Sequence, residues 1–434
     1  MNTNDLIQRW STFSLQEIED QIRRGEDLDS IIQLLGAETV SEIQQISSTP
    51  PSFGPREEVV LLPGIMGSML VSIRGVTTLL WVNPLLFIQG NARYLRLSPD
   101  ADSDEYSQVD CVPLSLEKLT YFKISLSLNR NTVLHEFPYD WRRPIEYNAD
   151  ILHKAIERWS EGDPERKFNL VAHSMGGLVS RAYLARHQTS AEKRIRRLVL
   201  HGTPNFGSPN AVETLYNGNS MMGTVDRLNS QNAMREVVFS LPSIYQLLPA
   251  PREYYSANRP YPVDFDMYNA DAWSLPGIRQ VFLDGAYKLH KELGRSDPQV
   301  PIDMIAGCHI QTLVTAGLEI GSGKASFTGN RIDEGSDSGD GTVPLWSAHL
   351  PGANMYFIQD VHRRLPGNTK VIQATMDLIQ SGRCSLPQSL PVPKRGLFSF
   401  EPTMPAEIRA DNLKSKIETG TASSVDINQL YFAF

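Results

Sequence analysis

Apolar residues in the first 48 positions recur in steps of three and four: Ile18 and Ile22, then Ile31, Ile32 and Leu35, then Ile43 and Ile46. Such steps place side chains on one face of a helix. Ser14-Leu15-Gln16-Glu17 has the residue types of a capping box, serine at the N-cap and glutamate three positions on. The pattern predicts a helical extension over 1–48, closed by the helix breakers Pro50, Pro51, Gly54 and Pro55. Its apolar stripes need a covering surface, and a protein partner reached through 1–48, as an adaptor would use, is one candidate for it. Beyond the breakers the period changes. Val59-Val60-Leu61-Leu62 is an unbroken apolar run ended by Pro63-Gly64, and similar runs follow at 168–172, 198–200, 302–306 and 355–358. Runs of this kind suit strands buried on both faces. Helical stretches at 149–159, 175–187 and 369–381 lie between several of them. The alternation predicts an α/β fold, a mostly parallel sheet covered by helices.

Two stretches interrupt the alternation, about 69–134 and about 207–298. Neither can be a plain loop in a compact domain. They are expected as insertions on one face, the second as a cap, within a catalytic domain over 57–381 that a tail over 382–434 follows. The first carries the apolar clusters 79–82 and 85–88, which fit either a membrane-contacting surface or ordinary core.

Composition narrows the function. The 434 residues are 41% hydrophobic and 21% charged with a net charge of −8. An acidic balance argues against a nucleic-acid partner, which needs a basic surface. The three cysteines, Cys111, Cys308 and Cys384, are too scattered for a disulfide framework or metal-ligand spacing. The first residues do not read as a secretory signal, and no apolar run reaches the roughly 18 residues of a membrane span. The expectation is a cytoplasmic protein, peripheral at membranes if it meets them.

Ala172-His173-Ser174-Met175-Gly176-Gly177 joins an expected strand to an expected helix. A serine at such a turn is thrust out at the carboxyl end of the sheet, and the turn needs small residues two before and two after it, here Ala172 and Gly176. Ser174 is therefore the candidate nucleophile, the bland alternative being a helix-capping serine. A serine nucleophile needs a base oriented by a carboxylate, in the order serine, acid, histidine in this fold. His362 follows the last expected strand directly, whereas its rival His349 precedes that strand. Asp340 sits in the turn Gly339-Asp340-Gly341-Thr342-Val343-Pro344, with Asp333 and Asp337 nearby. A calcium-loop reading of 337–348 fails at its twelfth position, Ala348, which should be glutamate. No metal or cofactor is implied. An oxyanion needs two backbone donors, one from Met175 after the nucleophile and one from the loop Leu62–Ser68.

Taken with Phe137-Pro138-Tyr139-Asp140-Trp141-Arg142, His201-Gly202-Thr203-Pro204 and the run Leu241–Pro249, these segments make 57–381 resemble the lecithin:cholesterol acyltransferase family, which includes phospholipases. The resemblance implies an α/β hydrolase with a cap and a second, membrane-facing insertion. It implies hydrolysis or transfer of acyl esters of phospholipids or acylglycerols, with transient contact at a membrane surface. Matched residue by residue, it implies Ser174, Asp340 and His362 as the triad, Ile65 and Met175 as oxyanion donors, and 139–142 as structural support. Secreted members carry a disulfide in the membrane-facing insertion, where this chain has Cys111 alone. The expectation is a serine acyl-ester hydrolase or acyltransferase acting on lipids. A carboxylesterase of small or protein-linked esters, and a non-catalytic binding protein on the same fold, are the alternatives.

Overall fold

The computed structural model describes residues 1–50, 56–75, 77–218, 220–256, 259–321, 324–393 and 406–430. Most of the expected linker, 51–55, and the tail end, 431–434, lie outside the described residues. In chain order the strands are β1 (Glu58–Leu62), β2 (Ser68–Ser72), β3 (Thr78–Trp81), β4 (Cys111–Leu116), β5 (Val133–Glu136), β6 (Phe168–His173), β7 (Ile195–His201), β8 (Ile302–Gly307), β9 (Thr312–Gly321), β10 (Lys324–Ile332) and β11 (Asn354–Ile358).

Six of them form one parallel sheet in the order β11-β8-β7-β6-β1-β5. Its side chains alternate between two apolar layers. Val60, Leu62, Leu170, Ala172, Leu198, Leu200, Met304 and Ala306 pack with helices Ile145–Trp159, Met175–Arg186 and Gln280–Arg295. Val59, Leu61, Val171, Val199, Ile305 and Tyr356 pack with helices Lys118–Asn131 and Thr369–Ser381. Burial on both faces is why the inner strands β1, β6, β7 and β8 read as largely apolar runs. This is the expected α/β-hydrolase architecture.

The insertions are smaller than the sequence suggested. Helix Lys118–Asn131 and edge strand β5 belong to the sheet layers, so the first insertion is confined to the antiparallel sheet β3-β2-β4 and the segments around it. Its apolar clusters are core: Leu80, Trp81, Val82 and Phe87 are each at most 2% exposed. Gln280–Arg295 lies against helix Met175–Arg186 and is the crossover helix before β8 rather than part of a cap. A further element, the antiparallel hairpin β9–β10, packs on helix Pro209–Asn217 at the cap side.

The N-terminal helices are α1 (Thr3–Thr12), α2 (Leu15–Arg24), α3 (Leu28–Leu35) and α4 (Ala37–Ser48). The expected capping box at Ser14 and Glu17 is formed. The helices do not stand apart from the sheet domain. Trp10 stacks on Phe122 with ring centroids 6.1 Å apart, and its indole N–H donates to Gln21 at 2.9 Å. Lys123 reaches Glu42 at 2.6 Å, and Arg130 pairs with Glu19 and donates to the carbonyl of Thr49 at 2.6 Å. The apolar stripe is thus covered within the chain. The tail adds helices Ala406–Thr419 and Ser424–Asn428, which return to the same place. Thr3 N–H donates to Gly420 O at 3.0 Å and the Asn4 side chain to Ile417 O at 2.6 Å. Helix Ala406–Thr419 also lies against helix Ser220–Leu228, within the stretch expected as a cap, and against helix Pro84–Ile88.

Because Trp10 is 1% exposed and joins the helices to Phe122, Trp10→Ala is expected to cost about 3–5 kcal/mol of stability. Removal of residues 1–50 is expected to leave an aggregating product, since it bares that apolar face. Denaturant melts and size-exclusion chromatography check both, and a soluble, equally stable truncated chain would contradict the packing.

Candidate active site

The loops that follow β1, β6, β7, β8 and β11 meet at the carboxyl end of the sheet, where this class of fold builds its sites. Ser174, directly after β6, has φ +53° and ψ −126°, a conformation that costs a side-chain-bearing residue strain. Its N–H is held by His201 O at 2.9 Å. The need for small neighbours is literal. A Cβ on Gly176 would stand 2.3 Å from the carbonyl oxygen of Pro63, and one on Gly177 2.0 Å from Thr203 Oγ1.

His362 opens the short helix His362–Gly367 after β11. Its Nε2 lies 2.9 Å from Ser174 Oγ and its Nδ1 2.7 Å from Asp340 Oδ2. The backbone N–H of His362 donates to Asp340 O at 2.8 Å. The other oxygen of Asp340 accepts the N–H groups of Thr342 and Val343 at 3.0 and 2.7 Å, so the turn itself aims the carboxylate. Gly202, at φ +56°, leaves the room these groups need, for a Cβ there would lie 3.0 Å from both Asp340 Oδ2 and His362 Nδ1. The rivals are elsewhere: His349, Asp333 and Asp337 are exposed, whereas Ser174, Asp340 and His362 are 4%, 1% and 4% exposed.

The loop after β1 arches over the serine. A Cβ on Gly64 would lie 2.9 Å from that of Ser174. Residues 64–67 form a tight turn closed by Gly67 N–H to Gly64 O at 3.0 Å, with Met66 at φ +61°. Ile65, half-buried, follows Gly64 in that turn. Met175 is the first residue of its helix, so no carbonyl one turn back is available to its N–H.

Segment 139–142 supports this loop. Tyr139 Oη donates to Pro63 O at 2.8 Å and Trp141 Nε1 to Ser68 O at 3.2 Å. Arg142, fully buried, grips Asp140 with Nε and Nη2 at 2.9 and 2.8 Å and reaches Asp104 of the insertion at 2.7 Å.

Two residues beside the serine were given no role from sequence. His173, quoted in the serine motif only as a neighbour, places Nδ1 2.7 Å from Tyr121 Oη and Nε2 3.1 Å from His362 O. Tyr121 Oη also accepts the N–H of Gly64 at 2.7 Å. Burial first, then the nearby His362 and His201, hold the His173 pKa well below the ordinary imidazole value. Burial also lowers His201 to about 3 and His290 to about 4.

Among known proteins, residues 116–271 match the family model for lecithin:cholesterol acyltransferase. The chain is 23% identical over 215 residues to lecithin-cholesterol acyltransferase-like 4 of Arabidopsis thaliana, a match covering 48% of this chain and 36% of the relative. It is 23% identical over 133 residues to a phospholipase A(1) of the same plant, covering 30% of each. These matches thus span about a third of the length of the curated relatives. Among solved structures, the mature lipase BlEst2 of Bacillus licheniformis aligns with TM-score 0.40 and 14% identity over 76% of this chain and 94% of that one.

Three neutral buried imidazoles give a stability signature. Below about pH 6.5 the unfolded chain takes up a proton at each of His173, His201 and His290, while the folded chain does not. Stability is therefore full above that pH and falls by about 1.4 kcal/mol per unit per histidine as pH drops toward their folded values. Urea melts between about pH 7 and about pH 5 should show this fall, and a flat profile would contradict neutral burial. The resemblance read from the motifs is meanwhile borne out by the comparisons, in which residues 116–271 match the lecithin:cholesterol acyltransferase family model and the relatives include a lecithin-cholesterol acyltransferase-like protein and a phospholipase A(1).

Proposed function

We propose that the protein is a serine acyl-ester hydrolase or acyltransferase acting on lipids, with Ser174 as nucleophile, His362 as base and Asp340 as its orienting acid. The observation that carries the reading is the continuous chain from Ser174 Oγ through His362 to Asp340, at 2.9 and 2.7 Å, on a strained turn after a buried strand. His362 Nε2 takes the serine proton as Oγ bonds to the ester carbonyl carbon. The resulting oxyanion receives the N–H groups of Ile65 and Met175, and Asp340 stabilises the imidazolium. His362 then protonates the departing alcohol, leaving an acyl group on Ser174. Water or a second alcohol, deprotonated by His362, attacks that ester and releases the acid or a new ester.

The class of substrate is supported by the family match and by the low exposure of Ser174. A serine only 4% exposed needs the segments around the site to part before a substrate can reach it, and such segments would then shield an acyl chain from water. Lipid substrates also entail transient contact with a membrane surface.

The test is incubation of phospholipid and acylglycerol vesicles with the protein and with Ser174→Ala, read by mass spectrometry. Wild type should release fatty acid, or transfer it to an added alcohol, and label covalently with a fluorophosphonate. Ser174→Ala should lower turnover by at least about 10³-fold. Turnover retained in Ser174→Ala would overturn the mechanism. Faster cleavage of short soluble esters than of vesicles would favour the carboxylesterase.

A further inference from the structure

We infer that Tyr121 and His173 form a hydrogen-bond relay that fixes the loop bearing Ile65 and the backbone of His362 relative to one another, making both positioning residues for the reaction proposed above. The inference rests on that reading for its catalytic consequence, while the relay itself is a matter of geometry.

Four groups lie in line: Gly64 N–H, Tyr121 Oη, His173 and His362 O, with contacts of 2.7, 2.7 and 3.1 Å. Their proton inventory permits one arrangement. Gly64 N–H can only donate, so Tyr121 Oη accepts it and has a single proton left to give. The carbonyl of His362 can only accept, so the facing Nε2 of His173 must carry a proton. A neutral imidazole has one N–H, which leaves Nδ1 as the acceptor for Tyr121. The opposite tautomer would set a lone pair of Nε2 against the carbonyl oxygen of His362 and leave the Tyr121 hydroxyl proton without a place in the chain. Burial keeps the ring neutral, as its lowered pKa indicates. Neutrality matters because the His173 and His362 ring centroids are 4.8 Å apart. A cation there would oppose proton uptake by His362, the step the mechanism requires.

Each end of the relay holds a working part. Gly64 precedes the proposed donor Ile65. At the other end, His173 holds the carbonyl of His362, while Asp340 O holds its N–H at 2.8 Å. Tyr121 comes from helix Lys118–Asn131 on the far layer of the sheet, so the relay also ties that layer to the site. Neither side chain is bonded to Ser174 Oγ, so their effect passes through Gly64 and His362.

The test uses the full chain with Tyr121→Phe, His173→Leu, His173→Gln and the double variant Tyr121→Phe/His173→Leu, on a soluble p-nitrophenyl ester. Tyr121→Phe keeps the ring that packs edge-on to His173 and removes only the hydroxyl. It should lower kcat by about 10- to 100-fold with KM within about twofold, as expected for misplaced groups rather than lost binding. The double variant should be no slower than its slower parent, because breaking one chain twice costs no more than breaking it once. His173→Gln, whose side-chain amide can still donate to His362 O, should be faster than His173→Leu. A Tyr121→Phe enzyme with kcat near wild type, losses that multiply in the double variant, or equal activity of the Gln and Leu variants would overturn the inference. Imidazole nitrogen NMR on the full chain, with His173 assigned by its substitution, decides independently of turnover. The ring should remain the neutral Nε2–H form from about pH 5 to about pH 8, unlike an ordinary histidine. A protonated ring or an Nδ1–H form there overturns the relay. Wild-type protein that cleaves no ester would instead reject the proposed function.

Discussion

Ser174 stands at φ +53°, where a residue with a side chain is strained, and the carboxyl end of the sheet is packed to hold it there. The holding is done by close backbone approach. Gly176 meets Pro63, Gly177 meets Thr203, and Gly64 meets Ser174 itself, each at a distance that leaves no room for a methyl group. Two chain segments far apart in sequence, around Pro63–Gly64 and around Thr203, converge on one turn. Had either of them stood further off, the turn could relax and carry Oγ away from His362. The strain therefore depends on the apolar layers that press β1, β6 and β7 together, and the reactivity proposed for the site depends on the strain.

The segment 139–142 shows how the insertion is fixed to this frame. Arg142 is fully buried between Asp140 and Asp104, a carboxylate of the hydrolase body and one of the insertion. Removing one partner from such a group would strand charge in the interior, which is strongly unfavourable, so the pair keeps the insertion in register. Tyr139 and Trp141, on either side of Asp140, bond the loop after β1. One short stretch thus anchors both the insertion and the loop over the serine.

The sequence was legible where the structural cause is local. β1, β6, β7 and β8 are largely buried on both faces and read as apolar runs, and the edge strand β11 is apolar though only half-buried. Ser174 and Asp340 sit in turns whose small residues are adjacent in sequence, and His362 comes soon after β11. Helix Lys118–Asn131 was not legible, for a physical reason. It is buried against the sheet through Tyr121, Ile124 and Leu128, and against α1 through Phe122. With two apolar faces, Phe122, Ile124, Leu126 and Leu128 alternate as a strand would, and the one-sided helical period disappears. Strand β5 was missed because it is a half-exposed edge. Gln280–Arg295 has helical spacing, but nothing local distinguishes a crossover helix from a cap helix. Tyr121 was invisible as a site residue because its partner His173 is 52 positions away.

The bond between Thr3 and Gly420 has a consequence for how the protein is made. The hydroxyl of Thr3 and the carbonyl of Gly420 are 417 positions apart in sequence, and α1 shares its buried surface with the segment around Ile417. A ribosome adding about 5–20 residues per second separates the emergence of these two segments by roughly 20–80 s. Throughout that interval Thr3 and Asn4 lack their partners on the tail, whereas Trp10 can pack as soon as Phe122 has been made. The contact that ties α1 to the tail helix is thus completed only after Gly420 has left the exit tunnel, long after α1 itself has been made.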